Sequence, residues 1–412
     1  MQNRTYYILG GIIVFLFIIL SIWFFFFRST GTLSTDGNSP SSLFGNTPDT
    51  ANTQSSTDTS NGTQTINTTV SSQQKIFKIT DGPIVGATLI QTLRPTTTLA
   101  RYIRQDDGHV YDVPLGVAGA VPRIVSNVTI PGGQRAIWLE GGSAALLQYV
   151  DDSNIVKTVY MGFPVATTSG GILPTRLQFL PDNIIDIAAS PDGKSVAYLI
   201  KTASGSDGYL AKSDGTSSKK AFSLPLSQML MSWPSEGTIL VQTKSAAGVT
   251  GMAFSVETKT GNVSQLVTAQ GITASADPAF KRIVYTISDN TKMAAYDYRV
   301  STKLNNPVSP TIFPEKCIWN KSINISLAYC AVPNAEVGNR YLDAWHAGTQ
   351  TLADNIWQID FNGGVSSILA IPGTKQGGVL SDIFEMALSP NEKYLSFTTK
   401  GARALWGVLL GN

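Results

Sequence analysis

The chain has 412 residues, 42% of them hydrophobic and 14% charged, with a formal net charge of +2. A balance so near neutrality argues against a general nucleic-acid surface, which needs a dense basic face. Two histidines in the whole chain exclude a zinc site built on several of them.

The first element is an uninterrupted apolar run over residues 6–27, 22 residues long. As a helix rising 1.5 Å per residue it spans roughly 33 Å, enough for a bilayer core. Tyr6, Tyr7 and Trp23 stand toward its ends, where interfacial aromatics belong. No Ala-x-Ala cleavage site and no nearby cysteine follow, so residues 1–28 are expected to be an uncleaved transmembrane anchor. Arg4 and the terminal amine face Arg28 across the run and decide little. No Lys or Arg occurs between Arg28 and Lys75, which favours a cytoplasmic N-terminus and a chain that continues outside the cytoplasm. Residues 29–75 are rich in Ser, Thr, Asn, Gly and Asp and nearly devoid of apolar side chains. Such a segment cannot offset the entropy of ordering, and it is expected to be a disordered linker.

From residue 76 the chain repeats. Ser190-Pro191-Asp192-Gly193 is a polar turn that runs straight into the strand-like Val196-Ala197-Tyr198-Leu199. With Pro191 and Tyr198 as a ruler, Pro95, Pro131, Pro234, Pro278 and Pro390 each precede a large apolar residue by the same seven positions. Ser322 to Tyr329 supplies a copy without the proline. The steps between the seven copies are 36, 60, 43, 44, 44 and 68 residues. A period near 44 is that of four-stranded propeller blades. The two long steps mark insertions, over residues 162–179 and 331–354. A further strand signal follows each copy, as in Tyr209-Leu210-Ala211 and Ile356-Trp357-Gln358-Ile359-Asp360, and no amphipathic helix is evident after residue 30.

Ser190-Pro191-Asp192-Gly193-Lys194 and Ser389-Pro390-Asn391-Glu392-Lys393 resemble the turn of WD-like propeller repeats of the TolB type. The stretch from Trp357 through Ile359 and Asp360 to Asn362 and Gly363 resembles the strand that follows that turn. The resemblance covers residues 76–410, although only two copies are close, and the turns at Pro234, Pro278 and Ser322 depart from it. It implies an all-β fold, here a seven-bladed β-propeller over residues 76–412, used as a toroidal binding scaffold with no conserved chemistry to carry over. The last copy ends after its third strand, at residues 405–410. The strand Ile76-Phe77-Lys78-Ile79-Thr80 is therefore expected to complete that blade and latch the ring, removing an exposed edge.

Laying the Ser322 copy on the Pro191 copy puts Cys317 and Cys330 directly opposite each other across the first two strands of one blade. Opposed antiparallel residues lie within disulfide range. An oxidised pair fits a domain outside the cytoplasm; two reduced, buried cysteines are the alternative. The six N-x-Ser/Thr sequons beyond residue 28, at Asn61, Asn67, Asn127, Asn262, Asn320 and Asn324, arise easily in so Ser/Thr-rich a chain and decide nothing.

No nucleophile elbow, phosphate loop or calcium loop is present. Asp106-Asp107 and Asp151-Asp152 read as turn residues, whose carboxylates bond their own backbone. His109 reads as a surface residue. No catalytic residue, metal ligand or cofactor is assigned. The most informative segment is the insertion at 331–354, which holds Arg340, Tyr341, Asp343, Trp345 and His346. Trp, Tyr and Arg are the types enriched at interface hot spots, while a long loop also needs aromatics to pack onto its own blade. These five residues are the candidate binding set. The expected function is a non-enzymatic, membrane-tethered scaffold that binds a protein or cell-envelope partner. The alternative is a hydrolase or lyase working on glycans or lactones at the channel mouth.

Overall fold

Strand Ser195–Thr202 shows how this sequence makes its fold. Successive side chains of a strand point to opposite sides of the sheet. Val196 and Tyr198 accordingly join a buried cluster with Leu139, Leu146 and Tyr160 on one side. Ala197 and Leu199 join another with Met229, Ile239 and Val241 on the other. A strand apolar on both faces needs a sheet on each side, and a ring supplies that without leaving any sheet terminal.

The computed structural model describes residues 76–93, 95–163, 174–289, 291–338, 340–372 and 381–410. The apolar run 6–27 and the linker 29–75 lie outside the described residues; among the described residues no helix is long and apolar enough to cross a membrane. Seven four-stranded antiparallel sheets make up the fold, a seven-bladed β-propeller. The innermost strands are, in order, Ile84–Gln91, Arg135–Leu139, Ile184–Ala189, Met229–Ser235, Thr273–Ala276, Cys317–Trp319 and Ile383–Leu388. The last of these touches the first, which closes the ring. Seven buried clusters fill the seven blade-to-blade interfaces, one each. In four blades the aromatic at the Tyr198 position stacks on its partner in the next strand, as in Tyr198–Tyr209 at 5.3 Å and Tyr285–Tyr296 at 5.4 Å.

The latch forms as expected. Ile76–Thr80 is the outermost strand of the seventh blade and pairs with Leu405–Leu409, Lys78 opposite Trp406. Gly407 leaves room there for the Phe77 ring, which a Cβ would meet at 2.5 Å. Arg403 adds a second clasp, its Nε donating to Ile84 O at 2.6 Å and its Nη2 to Val85 O at 3.0 Å.

The repeated turn is a hydrogen-bonded unit. Ser190 Oγ donates to Asp192 Oδ1 at 2.7 Å and accepts from the Ser195 N–H at 3.0 Å. Ser389 repeats both bonds, to Asn391 at 2.8 Å and from Tyr394 at 2.9 Å. Gly193 has φ +70°, and a Cβ there would meet Glu140 N at 2.2 Å; Glu392 takes the same left-handed conformation in the other copy, at φ +54°. Cys317 and Cys330 face each other as the repeat requires and form a disulfide.

Three expectations need correction. The Pro131 copy is one strand out: Trp138 lies on the innermost strand of blade 2, and the second strand is Ala144–Val150, reached through the 3-10 turn Glu140–Gly142. The stretch 162–179 is not all insertion, because Arg176–Phe179 is the outermost strand of that blade; its residues 164–173 lie outside the described residues. A helix does follow residue 30, Tyr341–His346, inside the sixth-blade insertion.

Candidate functional site

Loops between second and third strands share one face of the ring, the upper rim, with the blade-to-blade connections. The insertion of blade 6 rises there, between Leu327–Pro333 and Asp354–Asp360. Its helix has six residues, too few to persist alone. Tyr341, Leu342 and Trp345 fall on one side of it and are buried with Phe313, with Met293 and Phe384 packed against them. The Phe313 and Tyr341 rings lie 5.5 Å apart.

Beneath the helix is a closed charged cluster. Lys316 Nζ donates to Asp354 Oδ2 at 2.6 Å and to Asp382 Oδ1 at 2.9 Å, with all three side chains almost wholly buried. Lys316 and Asp382 immediately precede the innermost strands of blades 6 and 7, so the pair staples neighbouring blades. The Ile383 N–H donates to Asp354 Oδ2 at 2.8 Å. Trp345 Nε1 donates to both oxygens of Asp382 at 2.9 Å, which ties the helix to the staple. Lys400 Nζ lies 3.9 Å from the centre of the Trp345 ring and donates to Trp345 O.

Burial dominates the electrostatics. It raises the pKa of Asp354 despite the neighbouring Lys316, and lowers that of Lys400. The Tyr341 hydroxyl is pushed upward by burial and then by Asp382, Asp354 and Glu315. Asp354 Oδ1 and the Tyr341 hydroxyl are buried and lack a hydrogen-bond partner among the described residues.

The five sequence candidates thus divide. Tyr341 and Trp345 point inward as anchors. Asp343 Oδ1 accepts the N–H of Ala247 in blade 4 at 2.9 Å. Arg340 and His346 are exposed, and His346 Nε2 lies 2.9 Å from Glu315 Oε2. The helix therefore reaches from blade 4 to blade 7 along the inner rim. Sequence reasoning missed Lys316, Asp354, Asp382 and Lys400, which lie at the ends of different strands. For Lys316 and Asp382 the only local signal is a charge standing directly before an apolar strand, and Lys400 follows its strand.

The remaining part of the channel mouth carries Arg135, Asp186, Glu385 and Arg403. Arg135 is paired with Asp186, whose other oxygen accepts the Met231 N–H at 2.5 Å. Glu385 occupies a bulge of the innermost strand of blade 7, at φ +47°. Water reaches its carboxylate, yet protein walls enclose it on most sides; that burial, opposed by Arg403 and then Arg135, pushes its pKa up to about 7. Among the described residues no group of three or more His, Cys, Asp or Glu side chains is placed to hold a metal ion. Asp107 and Asp151 sit in turns, with Asp107 Oδ1 accepting the His109 N–H and Asp151 Oδ1 those of Ser153 and Ile155, each at 2.9 Å.

No protein-family model matches the chain, and no curated protein matches it. Among solved structures it is similar to TolB from Acinetobacter baumannii, with 11% identity, TM-score 0.41 and 78% of each chain covered. It is similar to the C-terminal WD40 domain of Sif2, with 8% identity, TM-score 0.48, and 82% of this chain and 99% of that one covered. An oligogalacturonate lyase in complex with manganese gives 11% identity, TM-score 0.46, and 82% and 98% coverage. These likenesses concern fold alone.

Proposed function

We propose that the protein is a membrane-tethered propeller that binds a protein or cell-envelope partner outside the cytoplasm, presenting the sixth-blade insertion on its upper rim. One observation carries this reading: the insertion is held rigid. Trp345, Asp343 and the Lys316–Asp354–Asp382 staple fix it to blades 4, 6 and 7 and leave Arg340, His346 and residues 347–351 facing solvent. A preformed surface loses little entropy on binding. The disulfide Cys317–Cys330 supports an oxidising compartment. The apolar run 6–27 supports the tether, with the N-terminus in the cytoplasm. No cofactor and no nucleic acid enter this reading.

Crosslinking in intact envelopes tests it. A recurrent partner should crosslink to residues 340–351, and R340E/H346A should lose it. Repeated failure to capture any partner, or crosslinks confined to the opposite face, would refute the proposal.

The alternative, a hydrolase or lyase at the channel mouth, has one observation in its favour. Glu385 is a carboxyl poised near neutrality beside two arginines, as general acid–base chemistry requires. Turnover of a glycan or lactone substrate by the purified chain, abolished by E385Q, would favour that alternative.

A further inference from the structure

Beside the insertion, between blades 5 and 6, lies an open cleft of about 680 Å3. That volume falls within the roughly 300–1,000 Å3 of preformed ligand sites. Lys292 and Met293 line the wall supplied by blade 5, Ala335, Glu336 and Val337 the wall supplied by the insertion, and Thr311 lines it from the connection between the two blades.

Both sides are anchored at their ends. On the blade-5 side Asp289 Oδ1 accepts the N–H groups of Thr291 and Lys292 and the Thr291 hydroxyl, each at 2.7 Å, and these bonds hold its pKa low. On the insertion side the Asn334 N–H donates to Ala353 O at 2.8 Å and the Tyr341 N–H to Gly338 O at 3.1 Å. Met293 and Val337 also pack against the buried Phe313–Tyr341–Trp345 cluster.

Two features of the cleft point to an occupant. The main chain of Ala335, Glu336, Val337 and Thr311 makes no hydrogen bond to other main chain among the described residues. Peptide groups without a main-chain partner along a groove suit a second extended backbone, which supplies donors and acceptors at matching intervals. The charges are also split, Lys292 on one wall and Glu336 on the other, both exposed and neither in an ion pair among the described residues. That arrangement favours a ligand with one negative and one positive group, oriented across the cleft.

We infer that this cleft binds a short extended peptide segment of the partner, carrying an acidic residue that meets Lys292 and a basic residue that meets Glu336. The inference rests on the upper-rim binding reading and narrows it to a partner chemistry. A displayed library of random heptapeptides, selected on the full chain, provides the probe. The selected peptides should share an acidic and a basic residue at a fixed spacing. K292E and E336K should each weaken their binding about tenfold, and K292E/E336K should select peptides with the two charges exchanged. Absence of a shared pattern, or binding indifferent to both reversals, would overturn the inference.

The two readings fail separately. If K292E/E336K keeps the envelope partner and R340E/H346A loses it, the cleft is not the peptide site and the rim reading stands. If no envelope partner is ever captured, the rim reading falls whatever the library yields.

Discussion

Replacing Lys316 by Met leaves two carboxylates facing each other without their shared cation. The Lys316, Asp354 and Asp382 side chains are 1%, 0% and 5% exposed, so water cannot take over the lost bonds. Removing one partner of a buried ion pair costs about 3–5 kcal/mol, against about 0–1 kcal/mol for an exposed pair. Lys78–Asp81, with both side chains largely exposed, is the internal control. Urea unfolding followed by tryptophan fluorescence reads both, and Trp345 reports on the cluster directly. K316M should lower the unfolding midpoint markedly and K78M hardly at all. The triple variant K316M/D354N/D382N should recover much of the loss, because neutral amides still accept the Ile383 and Leu352 N–H bonds. The deficit also depends on pH. Burial already raises the Asp354 pKa above its unfolded value. Without Lys316 that pKa rises further, so the folded variant binds protons more readily than the unfolded chain and gains stability as pH falls. The deficit of K316M should therefore shrink from pH 7 to pH 5. A deficit below about 1 kcal/mol at pH 7, or one that grows in acid, would refute the argument.

Trp345→Ala removes the buried ring and its bonds to Asp382; a loss of about 3–5 kcal/mol should fall first on the insertion. Limited proteolysis should then cut within residues 334–353 while the far-UV signal of the ring persists; uncut protein would contradict this. Glu385 has a folded pKa of about 7 against 4.5 for the free group, so its contribution is favourable in acid and is lost as pH rises between those values. Allowing for water in the channel, E385Q should be more stable than the parent by about 1 kcal/mol at pH 8 and should converge on it below about pH 4; a variant less stable at pH 8 would count against the enclosure of that carboxyl. The disulfide joins residues 13 apart, so C317S/C330S should lose about 3 kcal/mol in the chain-entropy account. Thiol titration of the denatured parent should find no free cysteine, and two free thiols would remove the support for an oxidising compartment.

The ring could be read from the sequence because each blade restates the same local chemistry. A turn that bonds its own backbone precedes a strand apolar on both faces, and seven such units imply seven interfaces. The same register placed Cys317 opposite Cys330, and the missing fourth strand of the last copy placed Ile76–Thr80 beside the final strand. Blade 2 escaped the ruler for a physical reason. Its turn, Glu140–Gly142, uses a left-handed Gly141 and has no proline, while Pro131 belongs to the connection before it. The ruler took the wrong proline, and Ile137-Trp138-Leu139 looked like any second strand. The insertion helix was illegible because its six residues make less than two turns, and tertiary contacts rather than periodicity hold it. Lys316, Asp354 and Asp382 have no common motif. Only closure of the ring brings them together, so their cluster becomes visible only once the blades are in place.

Strand Ile76–Thr80 closes the ring by completing its last blade. The direct test is a cysteine pair at Lys78 and Trp406, directly opposed residues whose side chains meet, with Lys78 Nζ 5.1 Å from the Trp406 ring. Oxidation of K78C/W406C should join the two positions within one chain, giving a compact species on a non-reducing gel and a crosslinked peptide by mass spectrometry. K78C/Q358C, which places the second cysteine on the third strand of blade 6, should not close. Failure of the first pair, or efficient closure of the second, would contradict a seven-bladed ring latched at this strand.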